Sequence, residues 1–188
     1  MPLQQLGIQQ LLHEYNQGDR TFSEVALPGA SLDSKSLVGI DFTRCDLSRA
    51  DLSRSDLSRA QFVGANLTDA EIADTTLNGA NFQGANLIGA NLQNASLVGA
   101  NLTGADLRLA NLSGADLRGA DLYEAKVSGA ILQAANLRGA RIDVNELDET
   151  DCDGAILDGL NTEAPYELQA ESMPWVSWGA HACSTADY

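Results

Sequence analysis

The chain is poor in aromatic residues and has no long apolar run. Aromatic residues make up 5% of its 188 residues, so the core must be built from closely packed aliphatic side chains. Nowhere do about 18 apolar residues follow one another, which excludes a membrane-spanning helix. The opening MPLQQLGIQQ has neither a basic segment nor an apolar signal core. We therefore expect a cytoplasmic protein that does not bind membranes.

The groups that catalysis or metal binding requires are also scarce. Three cysteines without CxxC spacing give no disulfide framework, and we expect free thiols. His13 and His181 have no partner at ligand spacing, and the sequence contains no phosphate-binding loop, metal-ligand cluster or nucleophile elbow. We predict a protein that is not an enzyme and has no cofactor. Its net charge of −15 disfavours direct nucleic-acid binding.

A large apolar residue recurs at every fifth position from Phe22 to Leu157. These 28 positions hold Leu, Phe, Ile or Val, with Cys152 as the exception. Five residues turn about 500° on an α-helix, so the apolar residues would be spread around its axis. On a straight strand an odd step sends alternate side chains to opposite faces. The spacing instead predicts a chain that turns a corner once per repeat.

The other positions of the pentapeptide fit the same geometry. Two residues before the apolar centre, alanine dominates, as expected for a side chain that points into a narrow interior. One residue before the centre, Asn or Asp is common and can bond the backbone at a bend. Two residues after the centre lie 14 of the 17 glycines, which indicates a corner with positive φ.

The phenylalanines indicate how many corners close one coil. Phe22, Phe42, Phe62 and Phe82 are spaced twenty residues apart. Four pentapeptides per coil would place these rings in one stack. We therefore predict an all-β solenoid of about seven four-repeat coils, in which adjacent coils are hydrogen-bonded like neighbouring strands.

The run GANFQGANLIGANLQNASLVGANLTGADLRLANLSGADLRGADL resembles the pentapeptide-repeat family, whose consensus is A-(D/N)-L-x-x. The resemblance covers about residues 20–159 and implies a right-handed quadrilateral β-helix. The segment LLHEYNQGDRTF is also similar to the short N-terminal cap of cyanobacterial members. Some members resemble B-DNA in size and charge and bind DNA gyrase.

Both ends of such a rod need covering, because unpaired strand edges invite association. We predict an N-terminal α-helical cap within residues 1–19, with its helix between residues 3 and 15, and a β-helix over 20–159. Residues 160–188 are predicted to form an irregular C-terminal cap and flexible tail. In this cap, Tyr166, Met173, Trp175 and Trp178 either cover the last coil or contact a partner. The protein is expected to be a monomer, or a dimer through a terminal cap.

Three features of the predicted surface are candidate contacts for a protein partner. An arginine collar occupies the corners of one coil: Arg44, Arg49, Arg54 and Arg59. The simpler interpretation of the collar is a belt of exposed ion pairs with Asp41, Asp46, Asp51 and Asp56. An apolar stripe occupies polar positions near one corner: Ile88, Leu109 and Ile131. An acidic pole closes the repeats: Asp143, Glu146, Asp148, Glu149, Asp151, Asp153 and Asp158, followed by Glu163, Glu167 and Glu171.

The position of the charges separates two functions. Residues 61–140 carry seven acids and four bases, whereas residues 141–171 carry ten acids and one base. B-DNA carries about one charge per 1.7 Å of axis, and the middle of this rod falls far short of that density. The sequence therefore favours a non-catalytic protein–protein interaction scaffold or regulatory binding module. The alternative is a DNA-mimicking inhibitor or protector of DNA gyrase.

Overall fold

The computed structural model of the chain describes residues 3–162. Within them, parallel β-bridges join residues that are twenty apart, from Thr21 with Asp41 to Arg141 with Asn161. The twenty-residue coil predicted from the phenylalanine spacing is therefore confirmed. The number of coils stays a prediction, because the chain continues beyond the last described residue.

The contacts between coils are single bridges rather than strands of several residues. Among residues 3–162, the strands of more than one residue are β1, Gln4–Gln5, and β2, Val25–Ala26, which pair in parallel. Each side of a coil offers only about three extended residues before the next corner. Hydrogen bonding like that of neighbouring strands is thus confirmed, but each side of a coil is so short that it makes only a few backbone bonds to the next coil, such as those that Leu92 and Asn94 donate to Asn111 and Ser113.

The corners have the predicted backbone. From Glu24 to Gly159, apart from positions 144 and 149, the second residue after each centre has φ between 55° and 70°. The N–H of Ala90 donates to the carbonyl oxygen of Leu87 at 3.0 Å, and most corners repeat this bond. A positive φ at the third residue is what a type II turn requires. The Asn or Asp before the centre accepts from a backbone N–H two residues later, confirming its predicted role.

The centres and the alanines form one continuous core along the rod. Three of the four phenylalanines stack: the ring centroids of Phe42 and Phe62 are 5.8 Å apart, and those of Phe62 and Phe82 are 4.7 Å apart. Phe22 is buried in the same column. The interior is therefore filled by aliphatic side chains, with a stack of phenylalanine rings along one side.

The alanine position holds larger or polar side chains in the first coils, as the sequence indicated. Val25, Ile40 and Cys45 are buried there, whereas the side chain of Lys35 is exposed. At the corners that begin at Phe22, Leu32 and Leu52, the carbonyl oxygen accepts from a side chain of the following coil. The donors are Cys45 at 2.9 Å, Ser55 at 2.8 Å and Thr75 at 2.9 Å.

The unbroken series of 28 pentapeptides predicted from the sequence is wrong between residues 144 and 149. A 3-10 helix, Val144–Glu149, replaces two corners there, and its start is capped by Asp143, which accepts from the N–H of Asn145 at 3.0 Å. The segment has Asn145 where alanine is usual and Glu149 where glycine is usual. The register survives, because Leu147 is buried and Ile131 bridges Asp151.

The N-terminal helix is present but lies later than predicted. It is α1, Ile8–Gln17, and it ends at Gly18 with φ of 110°. Residues 3–7 are not helical, and β1 lies among them. Leu11 is buried, and the hydroxyl of Tyr15 donates to the carbonyl oxygen of Val38 at 3.1 Å. The division at residues 19 and 159 stays a prediction, and Tyr166, Met173, Trp175 and Trp178 lie outside the described residues.

Candidate functional site

The apolar stripe lies at one corner of the rod. Ile88 is half-buried, Ile131 is 37% exposed, and Leu109 is 67% exposed. Gly89 donates its N–H to the carbonyl oxygen of Arg108, so Ile88 and Leu109 belong to corners in adjacent coils. Ile131 stands one coil above Asn111, to which it is bridged.

Leu109 occupies an unusual position for a large apolar residue. Its φ is 60°, in the left-handed region that costs an L-residue roughly 1–2 kcal/mol. Its Cδ2 lies over Gly129 of the next coil, 2.8 Å from where a Cβ on that glycine would stand. The side chain thus lies flat along the rod surface, and most of it remains in water.

The surroundings of the stripe carry little free charge. No residue from 75 to 105 is charged. Beside Leu109, the guanidinium of Arg108 donates to both carboxylate oxygens of Asp106, at 2.8 and 2.7 Å. These bonds lower the pKa of Asp106, and the same arrangement with Arg118 lowers the pKa of Asp116. The arginine beside Leu109 is therefore held in a local pair, whereas Asp69, whose backbone N–H donates to Ile88, and Asp151, which bridges Ile131, are in no ion pair among residues 3–162.

The arginine collar is exposed, but it does not pair as the simpler interpretation held. Asp41, Asp46, Asp51 and Asp56 accept hydrogen bonds from backbone N–H groups two residues later. Arg44 instead pairs with Glu24 at 3.3 Å, and Arg54 with Asp33 at 3.7 Å. Within residues 3–162, no carboxylate lies within 4 Å of the guanidinium of Arg49 or Arg59.

The collar arginines do not converge on one ligand. They stand five residues apart, one at each corner of a coil, so each faces a different side of the rod. A belt of mutual ion pairs is therefore the wrong description. The spacing located the arginines, but it could not show that the aspartate side chains accept hydrogen bonds from the backbone of the turns.

The acidic pole surrounds the last described coil. Asp143, Asp148, Asp153 and Asp158 are exposed. Asp143 caps the 3-10 helix, and the side chains of Glu149 and Asp151 accept from Ser128 and Gln133 respectively. Glu163, Glu167 and Glu171 lie outside the described residues. No group of three or more His, Cys, Asp or Glu in the described part is placed to hold a metal ion.

Neither of the two described cysteines offers a nucleophile. Cys45 is a free thiol buried in the core, and burial raises its pKa to about 11, so it is protonated near neutral pH. The expectation of free thiols is wrong for Cys152, which is disulfide-bonded. No helix among residues 3–162 is long and apolar enough to span a membrane.

The sequence profile of the family "Pentapeptide repeats" matches the chain with eight copies, the segments running from residue 21 to residue 139: 21–59, 36–72, 45–84, 60–104, 75–114 and 100–139. The chain belongs to the pentapeptide-repeat family. Proteins of this family fold as right-handed quadrilateral β-helices, and the twenty-residue coil described above agrees with that architecture. No curated protein matches the chain.

Solved pentapeptide-repeat proteins are similar to this chain. Rfr23 from the cyanobacterium Cyanothece 51142 is 26% identical, over 80% of this chain and 99% of its own, with a TM-score of 0.41. HetL from Nostoc sp. strain PCC 7120, involved in heterocyst differentiation regulation, is 28% identical over 83% and 94%, with a TM-score of 0.28. QnrB1, a plasmid-mediated fluoroquinolone resistance protein, is 19% identical over 76% and 85%, with a TM-score of 0.45.

Two features of this pentapeptide-repeat protein escaped the sequence pattern. The guanidinium of Arg141 lies 4.1 Å from the ring centroid of Tyr123 and pairs with Asp121 at 3.5 Å. Ile156, in a polar position, is 45% exposed. The polar-position rule that identified Ile131 would also have identified Ile156, whereas the Arg141 stacking depends on side-chain direction, which spacing does not encode.

Proposed function

We propose that this pentapeptide-repeat protein is a non-catalytic protein–protein interaction module, and that its partner docks on the apolar stripe of Ile88, Leu109 and Ile131. The observation that supports this most directly is Leu109, a large apolar residue that is both exposed and at positive φ. Such a residue destabilises the fold twice, through its backbone and through its contact with water. A contribution to binding would offset both costs.

The surroundings of Leu109 suit a protein partner of low charge. Ile88 lies within the segment 75–105, which has no charged residue, and the arginine next to Leu109 is neutralised by Asp106. Docking there removes few charges from water, so little desolvation opposes it. We therefore expect a flat contact with an apolar centre, in which Leu109 contributes much of the affinity.

The two charged features remain secondary candidates. The arginine collar would contact an acidic surface through Arg49 and Arg59, the two members without an ion pair among the described residues. The acidic pole would favour approach of a basic surface through Asp143, Asp148, Asp153 and Asp158. Neither needs to touch the partner at Leu109. The cytoplasmic location and the absence of an enzymatic activity stay predictions.

Leu109→Gly separates a binding role from a structural one. Glycine relieves the positive φ, so the variant should be as stable as the wild type or more stable, while partner retention should fall about tenfold or more. Ala134→Gly is the matched control: φ there is 55°, the residue is exposed, and the corner differs. The measurement is retention of native-host proteins on immobilised full-length chain, together with thermal unfolding.

Two results would contradict the proposal. One is an unchanged set of retained proteins with Leu109→Gly. The other is a variant that binds poorly and is also less stable than the wild type, because Leu109 would then be a structural residue. Ile88→Asp and Ile131→Asp should weaken retention of the same protein, which ties the loss to one surface.

The alternative, a DNA mimic that acts on gyrase, is supported by the net charge of −15. Its difficulty is the charge-free segment 75–105, about one and a half coils. At roughly 4.8 Å per coil and one charge per about 1.7 Å of B-DNA, a mimic would need about four negative charges there. A supercoiling assay decides: potent inhibition or protection of gyrase by the purified protein would favour the mimic over the interaction module.

A further inference from the structure

One corner of the rod begins and ends with carboxylates and carries the apolar stripe between them. Backbone bonds join five successive coils there: the N–H of Asp69 donates to the carbonyl oxygen of Ile88 at 3.0 Å, and the N–H of Gly129 donates to that of Glu149 at 2.9 Å. We call this edge the stripe corner. From the first of these coils to the fifth, its equivalent positions hold Asp69, Gly89, Leu109, Gly129 and Glu149.

The side of the rod that follows the stripe corner has the same order. Parallel bridges join one residue from each of the five coils: Glu71, Asn91, Asn111, Ile131 and Asp151. Asp69 and Glu71 in the first coil, and Glu149 and Asp151 in the fifth, are all exposed. The apolar stripe therefore has two exposed carboxylates at each end.

These four carboxylates are not neutralised by the described chain. The carboxylate of Asp69 leans toward the stripe, since its Oδ1 lies over Gly89 of the next coil. The other three accept hydrogen bonds from uncharged side chains: Glu71 from Asn91, Glu149 from Ser128 and Asp151 from Gln133. Among residues 3–162, no cationic side chain lies within 4 Å of any of the four.

The lysine and arginine residues near the stripe lie on the side before the corner or in the coil below it. Arg108 pairs with Asp106, and Lys126 bridges Asp106 from the next coil. Arg49 stands at the stripe corner one coil before Asp69. The side after the corner has no lysine or arginine in these five coils, at positions 71–74, 91–94, 111–114, 131–134 and 151–153. Cations of a partner are therefore attracted to the two ends of the stripe and to the side after the corner.

A second copy of the chain does not complement the stripe corner. Asp69 and Glu149 both lie two coils from Leu109. A two-fold contact centred on Leu109 therefore sets Asp69 of one copy against Glu149 of the other when the rods run in opposite directions, and against itself when they run parallel. Carboxylates would meet carboxylates in both arrangements, which opposes association. The occupant with complementary charge is a different protein.

We propose, on the basis of the docking role proposed above for the stripe, that the occupant is an amphipathic α-helix of a partner protein. One face of this helix presents apolar side chains to Ile88, Leu109 and Ile131, and a lysine or arginine stands at each end of that face. One cation faces Asp69, and the other faces Glu149. The centre of the contact thus stays low in charge, and its charge pairs lie at the two ends.

The spacing of the coils favours a helix over an extended segment. Adjacent coils stand about 4.8 Å apart, as neighbouring strands do, and an α-helix rises about 5.4 Å per turn. A helix that lies along the rod therefore offers roughly one side chain to each coil, with a mismatch of about 2.4 Å over the four steps from Asp69 to Glu149. Side chains on one face of a strand are about 6.8 Å apart, and the mismatch would reach about 8 Å.

Three synthetic helical peptides test the charge pattern on the full-length chain. They share a face of leucines one turn apart and differ only at the two ends of that face, which carry lysine, glutamine or glutamate. Fluorescence anisotropy measures their affinities. The lysine peptide should bind about fivefold more tightly than the glutamine peptide, and the glutamate peptide more weakly than both. Added salt should reduce these differences, because the charge pairs are exposed.

Asp69→Asn combined with Glu149→Gln removes a carboxylate from each end and leaves the stripe intact. Asparagine tolerates the φ of 55° at position 69, and glutamine at position 149 can still accept from Ser128. In this variant the lysine peptide should lose most of its advantage, while the affinity of the glutamine peptide stays unchanged. Asp74→Asn combined with Glu124→Gln is the matched control, since it removes the same charge from exposed positions with φ of 56° and 57° at other corners. That control should keep the advantage in full.

The outcomes separate this proposal from the docking role on which it rests. Leu109→Gly should weaken the lysine and glutamine peptides alike. Equal binding of those two peptides to the wild type, both weakened by Leu109→Gly, would refute the cationic ends and leave the stripe as a docking site. A lysine peptide that binds Leu109→Gly as tightly as the wild type would refute both. The helix would also be excluded by a chain that dimerises through Leu109, or by three peptides that all fail to bind at about 1 mM.

Discussion

The hydroxyl of Ser55 donates to the carbonyl oxygen of Leu32, 2.8 Å away in the preceding coil, and accepts from the N–H of Lys35 at 3.1 Å. It therefore stands inside the corner that these two residues form, where other corners have a direct N–H to carbonyl bond. Within residues 3–162, no buried side-chain N or O lacks a partner. A polar side chain in the narrow interior is thus used to complete a turn.

Ser55→Ala should lower the free energy of unfolding by about 1–2 kcal/mol. The variant leaves the carbonyl group of Leu32 without its donor and the N–H of Lys35 without its acceptor. Denaturant unfolding measures the change. Ser113→Ala is the control, because that half-buried hydroxyl donates to the side chain of Asn111 and bonds no backbone group in the interior, and its loss should cost less than about 0.5 kcal/mol. Equal effects of the two changes would contradict this role of Ser55.

The architecture could be predicted because its determinants are local and repeated. A corner recurs wherever the pentapeptide places a small residue inside, an Asn or Asp before the centre and a residue tolerant of positive φ after it. The coil length needed one further fact, the spacing of Phe42, Phe62 and Phe82. Burial, corner conformation and bridge register then follow from the same period.

What the sequence could not provide are side-chain directions and local exceptions. The aspartates beside the arginine collar bond the turns and not the arginines, a choice between two partners that spacing leaves open. The 3-10 helix at Val144–Glu149 keeps Leu147 in phase, so the apolar periodicity continues through the helix and gives no sign of it. Leu109 was located as an apolar residue in a polar phase, and it occupies the position for which the glycines indicate a positive φ, but the lie of its side chain over Gly129 could not be predicted.

Leu92→Ala and Ala90→Leu should both destabilise the protein, although they change the core volume in opposite directions. Both side chains are fully buried. Removing the leucine leaves a cavity and should cost about 2–5 kcal/mol, and enlarging the alanine overpacks a narrow interior and should cost about 1–3 kcal/mol. Thermal unfolding of both variants checks the assignment. Wild-type stability in either one would place that residue outside the packed column.

Ala134→Gly and Ala135→Gly should change stability in opposite directions. Ala134 is exposed with φ of 55°, so glycine relieves a strained backbone there and should stabilise by roughly 0.5–1 kcal/mol. Ala135 is buried, and glycine there loses a packed methyl group and adds chain entropy, which should destabilise by about 1 kcal/mol or more. The two positions are neighbours and undergo the same chemical change, so each controls for the other in a thermal melt. A shift of the same sign in both would refute the corner assignment.

Arg108→Gln should raise the pKa of Asp106 toward the ordinary value of an aspartate. In the wild type the largest cause of the lowered pKa is the side-chain hydrogen bond from Arg108, and the backbone N–H of the same residue contributes as well. Because the folded-state pKa is depressed, the stability gained from this carboxylate is present above the unfolded pKa and is lost as the pH falls through the folded value. Loss of the guanidinium should therefore reduce this contribution to stability, and its loss on acidification should be complete at a higher pH. The backbone donor remains, so the shift should be partial, and an NMR titration of the Asp106 carboxyl carbon measures it.

Arg138→Gln is the control, since within residues 3–162 no carboxylate pairs with Arg138, and it should leave the pKa of Asp106 unchanged.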